Sequence, residues 1–422
     1  MIKAVRGTSD ILPVDAGVWQ AIERELRQVF AEYAFDEIRT PIFELTELFV
    51  RGVGEETDIV SKEMYTFLDK DQTTSLTLRP EGTAPVVRSY IENRMSSESR
   101  TIKLYYIGPM FRRERPQKGR QRQFHQVGAE VLSSTDEPAI EAEVIELLLL
   151  LFGRLGVPDI TLQVNSVGCP VCRPAFVTRL RTEIGERADR LCADCQRRGE
   201  INPLRVFDCK VGACQPVIAE LPTITGHLCD ECATHFEKFR GYLTDRDIGF
   251  DVEERMVRGL DYYTRTTFEM KSGALGAQDT VAAGGRYDGL AESIGGAPTR
   301  GFGFAMGLER LILAIPDPGT IAPPPGPEYF LATIGDEAFR YATRLAGRMR
   351  AAGASVYLDF DHRSLKSQMR LADKLGSLRV VMIGEDEVAS RRLTVRDMST
   401  REQSEATEDE LVKAIETKNA NS

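Results

Sequence analysis

Cysteine is missing from most of this 422-residue sequence: all eight lie between Cys169 and Cys232, so that window stands out as an inserted module. Long apolar runs are missing too. The greasiest stretch, IELLLLLF from Ile145 to Phe152, is far short of the ~20 residues that cross a bilayer. The opening MIKAVRGTSDILP lacks the apolar segment of a secretory signal. A cytosolic protein with no membrane partner is therefore expected. Positive charge is not in excess, since 54 Lys and Arg face 64 Asp and Glu. That excludes wholesale electrostatic coating of nucleic acid and leaves local basic patches as the docking option. No solenoid-type repeat is present. The 42% apolar and 28% charged residues are ordinary for a globular chain long enough for at least two cores.

What is present divides the chain. The stretch IPDPGTIAPPPGPE, Ile315 to Glu328, reads as a stiff linker. After it, YFLATI, SVYLDF and RVVMIG read as buried strands. DEAFRYATRLAGRMRAAG and SLKSQMRLADKLG, with helical spacing, separate them, which predicts a small α/β domain with a largely parallel sheet. Upstream, helices are expected over 16–33 and 83–93. Two β-like runs, TIKLYYIGPMFR and RQFHQVGAEVL, flank an arginine-rich stretch and place it on a long hairpin loop. Strand alternation puts Val127, Ala129 and Val131 on the core face and Gln126, Gly128 and Glu130 on the other. Gly128, between two polar residues, is expected to leave room for a ligand against the backbone.

Several motifs are weak alone. RRER at Arg112 can be a solvated, ion-paired turn, and LRPEGTAPVVR a helix-capping turn. VRGLDYYTRTTFE can be an edge strand, AAGGRYDGL a Gly-rich turn, and GFGFAMGLERL a strand running into a helix. In this order and spacing they resemble the histidyl-tRNA synthetases, a family of class II aminoacyl-tRNA synthetases, over nearly the whole chain. TPIFELTELFVRGVGEETDIVSKEMYTF is similar to the first class II motif, with Pro41 at the position tied to the dimer interface. FRRERPQKGRQRQFHQVGAE and GFGFAMGLERL are similar to the second and third motifs, and RGLDYY and GGRYDGL to the two histidyl signatures.

The resemblance implies an α+β fold: a class II antiparallel-sheet catalytic core (1–165 and 246–315), a cysteine-rich insertion (166–245), a linker (316–327) and an α/β anticodon-binding domain (328–422). It implies a homodimer that joins histidine to ATP, with Mg2+, as histidyl-adenylate and passes the histidyl group to the 3′ end of tRNA(His). Such a site needs fixed cations around a phosphate whose charge is redistributing, and a guanidinium grips phosphate or carboxylate through two parallel hydrogen bonds. By resemblance Arg112 and Arg258 are catalytic, with Arg258 supporting the α-phosphate from another strand. Arg112, Glu114 and Arg310 hold ATP. Glu130 and Tyr263 read the imidazole, and Glu81, Gly82, Thr83, Gln126 and Tyr262 complete the histidine pocket with Arg112 and Arg258. A pocket of buried polar partners rejects ligands lacking the matching atoms, so no editing domain is needed. Arg113, Arg115, Lys118, Arg120 and Arg122 are expected to face the tRNA acceptor end. An alternative remains: a non-aminoacylating paralogue that regulates a histidine-biosynthesis enzyme.

The cysteines depart from the many family members whose insertion has none. Cys169-x2-Cys172, Cys192-x2-Cys195, Cys209-x4-Cys214 and Cys229-x2-Cys232 are spaced like ligands of structural zinc, and the four pairs can make two four-thiolate sites. One metal site with spare thiols, or reduced cysteines packed as small hydrophobes, is the alternative. His227 and His235 can substitute as ligands. The window is short and polar, so metal is expected to replace core that it lacks, in an arm that clasps tRNA and takes no part in catalysis.

Overall fold

The computed structural model describes residues 2–55, 57–97, 101–117, 119–276, 279–318 and 326–420. Its first long helix, Pro13–Glu32, begins earlier than expected because Pro13 at the first helical positions is already set to the helical φ. Ile22, Leu26, Val29 and Phe30 form its buried stripe. With helix Ala139–Arg154, whose greasy IELLLLLF run supplies Leu147, Leu148 and Leu151, it covers one face of the main sheet.

The strands of the first unit, Met1–Ile321, are β1 (Asp36–Glu37), β2 (Phe43–Leu45), β3 (Tyr65–Leu68), β4 (Ser75–Leu78), β5 (Thr101–Phe111), β6 (Gln123–Ser133), β7 (Ile160–Ser166), β8 (Asp251–Val252), β9 (Thr264–Ser272), β10 (Thr280–Arg286) and β11 (Arg300–Gly307). Among the described residues, eight form one sheet in the order β1-β5-β6-β11-β10-β9-β7-β8. Its middle six are antiparallel, and the short β1 and β8 pair in parallel at the edges. The β5–β6 hairpin runs in register from Thr101 opposite Ser133 to Phe111 opposite Gln123. Val127, Ala129 and Val131 lie in the helix-covered core as the alternation predicts. Gly128 does not leave space for a ligand. Tyr106 is its cross-strand neighbour, and a Cβ on Gly128 would lie 2.3 Å from the Tyr106 ring, so this glycine accommodates the protein's own tyrosine.

A second, three-stranded sheet, β2-β4-β3, presents Phe43, Leu45, Phe67 and Leu68 to solvent, with Ile42 beside them. The cysteine-rich insertion is helical and does have a core: Phe176, Leu180, Ile184, Val206, Val217 and Ile224 pack around Cys195, Cys209 and Cys214. The polar look of its sequence hid apolar positions spread over several short helices.

The second unit, Ala322–Ser422, contains β12 (Tyr329–Thr333), β13 (Val356–Leu358), β14 (Arg379–Ile383), β15 (Leu393–Asp397) and β16 (Gln403–Ala406), ordered β13-β12-β14-β15-β16. The first three strands are parallel, as expected. The antiparallel pair β15–β16 is an addition: LTVRD and QSEA alternate or are polar, and lack the buried run of a central parallel strand. Helix Leu365–Lys374 is tied to β12 by buried Gln368, which accepts from Thr333 N–H at 2.9 Å and donates to Thr333 C=O at 2.8 Å. Most of the anticipated Pro-rich linker, 319–325, lies outside the described residues.

Candidate functional site

The open face of the main sheet forms the floor of a cavity of about 460 Å³ lined by Glu81, Thr83, Arg112, Glu114, Gln126, Glu130, Arg258, Tyr262, Tyr263 and Arg310. Residues expected from four separate motifs thus meet in one place. Gly82 stands behind that lining, with its N–H donating to Gln126 Oε1 at 3.1 Å.

Glu130, on β6, is almost fully buried and accepts from Thr83 Oγ1 at 2.7 Å and from Tyr287 OH at 2.6 Å. Burial outweighs those two bonds and pushes its carboxyl up to about 8. Gly303 faces it from β11, and a Cβ there would lie 1.9 Å from Glu130 Oε2, so the wall against this carboxyl must be bare backbone. Glu81 is buried as well, and burial raises its carboxyl. It accepts from the N–H of Thr83 at 2.7 Å and of Ala84 at 2.9 Å, capping helix Thr83–Glu92. PEGT thus makes a helix-capping turn whose Glu81 and Thr83 also line the cavity. Gln126 Oε1 also takes the Tyr106 hydroxyl at 3.2 Å.

Tyr287 was not nominated from sequence, although GGRYDGL contains it. Its ring lies 5.7 Å from that of Tyr262, which is 4.8 Å from that of Tyr263, so three tyrosines line the cavity beside Glu130. Arg286 next to it is structural. Buried to 1% exposure, it donates to Glu141 at 2.6 Å and Asp288 at 3.2 Å and fixes the strand end that presents Tyr287.

Arg258 does not sit on a strand as expected; it lies in the loop 253–263 that precedes β9, because Gly259 and Asp261 interrupt the β-like run. It pairs with Glu269 of β9 and lies 6.0 Å from the Tyr263 ring centroid. Glu269, a second lining residue missed from sequence, also accepts from Thr280 Oγ1 at 3.1 Å. Arg112, just past β5, donates through Nε to Pro80 C=O at 2.8 Å and lies over the Phe124 ring at 5.2 Å.

The hairpin arginines divide. Arg113 and Arg115 are exposed. Arg120 is exposed too, and it also lines the cavity and pairs with Glu114 at 3.4 Å, because the Gln117–Arg120 bridge folds the loop back. Arg122 is partly buried, its backbone N–H donating to Gly7 C=O at 2.7 Å. Lys118 lies outside the described residues.

The eight cysteines form two groups, a pairing that spacing left open. Cys169 and Cys172 meet Cys229 and Cys232, while Cys192 and Cys195 meet Cys209 and Cys214, with all sulfurs of a group within 4.8 Å of one another. Separations of 3.8 Å (Cys169–Cys172, Cys169–Cys229) and 3.9 Å (Cys172–Cys232, Cys192–Cys209) are too long for disulfides. They match the ~3.8 Å edge of a tetrahedron with Zn–S bonds of ~2.3 Å. Neither histidine joins a group. His235 Nε2 lies 2.7 Å from Glu141 Oε1, and His227 Nδ1 lies 2.9 Å from Thr223 C=O.

Comparison with known proteins agrees with this geometry. Residues 7–176 and 213–311 match the Histidyl-tRNA synthetase family, and residues 328–418 the Anticodon binding domain. The chain is 51% identical over 419 residues to a histidine–tRNA ligase of Solibacter usitatus, covering 99% of each chain. It is 50% identical over 400 residues to one of Pelotomaculum thermopropionicum, covering 94% of each. An apo histidyl-tRNA synthetase from S. aureus shares the fold with a TM-score of 0.83 at 37% identity, over 99% of this chain and 100% of that one. With a class II core sheet, an anticodon-binding domain and both histidyl signatures at one cavity, the chain belongs to the histidyl-tRNA synthetase family.

Proposed function

We propose that this cavity joins L-histidine to ATP as histidyl-adenylate, releasing pyrophosphate, and that the chain then transfers the histidyl group to the 3′ end of tRNA(His). The observation that carries this reading is the buried Glu130 carboxyl, bonded to Thr83 and Tyr287, in the same cavity as Arg112, Arg258 and Arg310. Glu130 and Tyr263 take the imidazole, a ring with one donor and one acceptor when neutral, while Glu81, Thr83 and Gln126 surround the α-amino group. Arg112 and Arg258 hold the reacting carboxylate and α-phosphate in line, Arg310 the triphosphate end, and Glu114 the adenine. Magnesium bound with ATP would neutralise charge on the pyrophosphate leaving group. Arg113 and Arg115 meet the acceptor end of the tRNA. Histidine-dependent exchange of labelled pyrophosphate into ATP is the test. Histidine binding without exchange would replace this reading with the regulatory one, which a chain of this identity to ligases and with a matched anticodon-binding domain does not favour.

Among the described residues no helix is long and apolar enough to cross a membrane. We place the activity in the cytoplasm. The exposed Ile42, Phe43, Leu45, Phe67 and Leu68 support a homodimer, since a second copy would cover this apolar face next to Pro41. Sedimentation should give twice the 47.1 kDa chain mass at micromolar concentration, and a monomer there would reject the dimer.

The two cysteine groups fit structural zinc by ligand type, number and spacing. Elemental analysis of protein purified without added metal should find about two zinc ions per chain, because each closed site takes four thiolates. Folded, active protein with almost none would refute the assignment.

A further inference from the structure

The loop that carries Arg258, Tyr262 and Tyr263 is tied to β7 only at its start, where Glu253 N–H donates to Val164 C=O at 3.0 Å and Asn165 Nδ2 donates to the carbonyls of Glu254 and Met256, so other contacts set the position of 257–263. Most come from the cysteine-rich insertion. Arg205 Nη1 donates to the carbonyl of Arg258 itself at 3.0 Å, and its guanidinium is braced by Asp208 at 2.8 Å and Asp58 at 3.9 Å. Asn202 Nδ2 donates to Asp261 Oδ1 at 3.2 Å. At the loop's far end Arg173 Nη2 donates to the Tyr263 carbonyl at 2.5 Å and the Gly168 carbonyl at 3.0 Å, while its Nε donates to Val167 C=O at 2.9 Å.

Each of these side chains comes from a segment that begins or ends at a cysteine group. Arg173 directly follows Cys172 and opens helix Arg173–Gly185. Asn202 and Arg205 lie on the short segment between Cys195 and Cys209, with Asp208 adjoining Cys209. One group therefore stands behind the middle of the loop, at Arg258 and Asp261, and the other behind its far end, at Tyr263.

We propose that the insertion is a positioning element for histidine activation: Arg205 and Arg173 set the backbone of 257–263, and the two four-cysteine groups hold those arginines in place. This rests on the reading of Arg258 and Tyr263 as substrate-contacting groups. It reverses the expectation that the module serves tRNA alone. The physical ground is that a displacement of ~1 Å at a positioning group can cost ~10²-fold in rate.

The test uses the full-length, metal-loaded protein. Arg205→Met keeps the stem but removes the donors, and Arg173→Met does the same at the loop's far end. In pyrophosphate exchange each should lower kcat about 10- to 100-fold, with KM for ATP within about twofold. Peptides spanning 257–263 should exchange amide hydrogen faster, β5 and β6 should not change, and zinc content should stay as in the parent. Arg205→Lys, which retains a donor, should recover part of the loss. Chelation of the parent protein should produce the same local exchange signature. Near-normal kcat and unchanged amide exchange in Arg205→Met would overturn the proposal. A kcat loss without faster exchange would also overturn it, in favour of direct contact between Arg205, which lines the cavity, and substrate. Arg258→Ala is assayed alongside: if that variant is fully active, the underlying site reading fails instead.

Discussion

Arg258→Ala should remove histidine-dependent pyrophosphate exchange, with a fall of at least ~10²–10³-fold, the size expected when one preorganised electrostatic group is taken from a reacting centre. Two effects add. The substitution removes a cation that can grip the histidine carboxylate or the α-phosphate in a forked geometry. It also strips Glu269 of its ion-pair partner and leaves a carboxylate in a cavity where negative charge must accumulate. Arg258→Lys keeps the charge but loses the fork and should fall between the two. Because Arg258 and Glu269 are only 20% and 17% exposed, loss of the pair should also lower the melting temperature, so exchange is measured at a temperature where the variant is fully folded. Exchange within a few-fold of the parent would remove Arg258 from the catalytic set.

Glu130→Gln should separate the two substrates. The amide preserves size, but its NH2 replaces a carboxyl oxygen that accepts from Thr83 or Tyr287 and it cannot ionise when histidine binds, so kcat/KM for histidine should drop about 10²-fold or more while KM for ATP stays within about twofold. Equal losses for both would make Glu130 a structural residue only. A stability signature follows from the same carboxyl. Its folded value of about 8 exceeds its ordinary 4.5, so between those pH values the folded chain holds a proton that the unfolded chain has released. Stability from this group is fully present below about pH 4.5, declines as pH rises toward 8 and is flat beyond. Glutamine does not titrate. The melting temperature of the variant relative to the parent should therefore climb from pH 5 to pH 8 and then level, and a flat difference would contradict the raised carboxyl.

The sequence disclosed what depends on local periodicity. A strand repeats every two residues, so Val127, Ala129 and Val131 were assignable to the core and Gln126 and Glu130 to the cavity from β6 alone. It failed where the neighbour decides. The space beside Gly128 belongs to Tyr106 on the adjacent strand, a pairing that one strand's alternation does not contain. That the exposed Arg120 also borders the cavity depends on a bridge within the hairpin loop, which composition does not reveal. Tyr287 stood in a quoted signature, yet its value lies in a 2.6 Å bond to a carboxylate 157 positions away. Cysteine spacing announced metal-like chemistry but not partners, because Cys229 and Cys232 reach Cys169 and Cys172 only when helix Asp230–Thr244 returns to the start of the insertion.

For anyone wishing to charge this tRNA with an unnatural amino acid, Gly303 decides where redesign can start. The Glu130 carboxyl, proposed above to meet the imidazole, is flanked on the β11 side by peptide backbone, with a Cβ position already occupied by Glu130 Oε2. No library at position 303 can enlarge, reshape or repolarise that wall. Room for a bulkier ring must come from Tyr262 or Tyr287 on the aromatic side, and Tyr287 cannot be shortened without also removing its hydrogen bond to the Glu130 carboxyl. Tyr262, which borders the cavity without bonding to Glu130, is the position to randomise first.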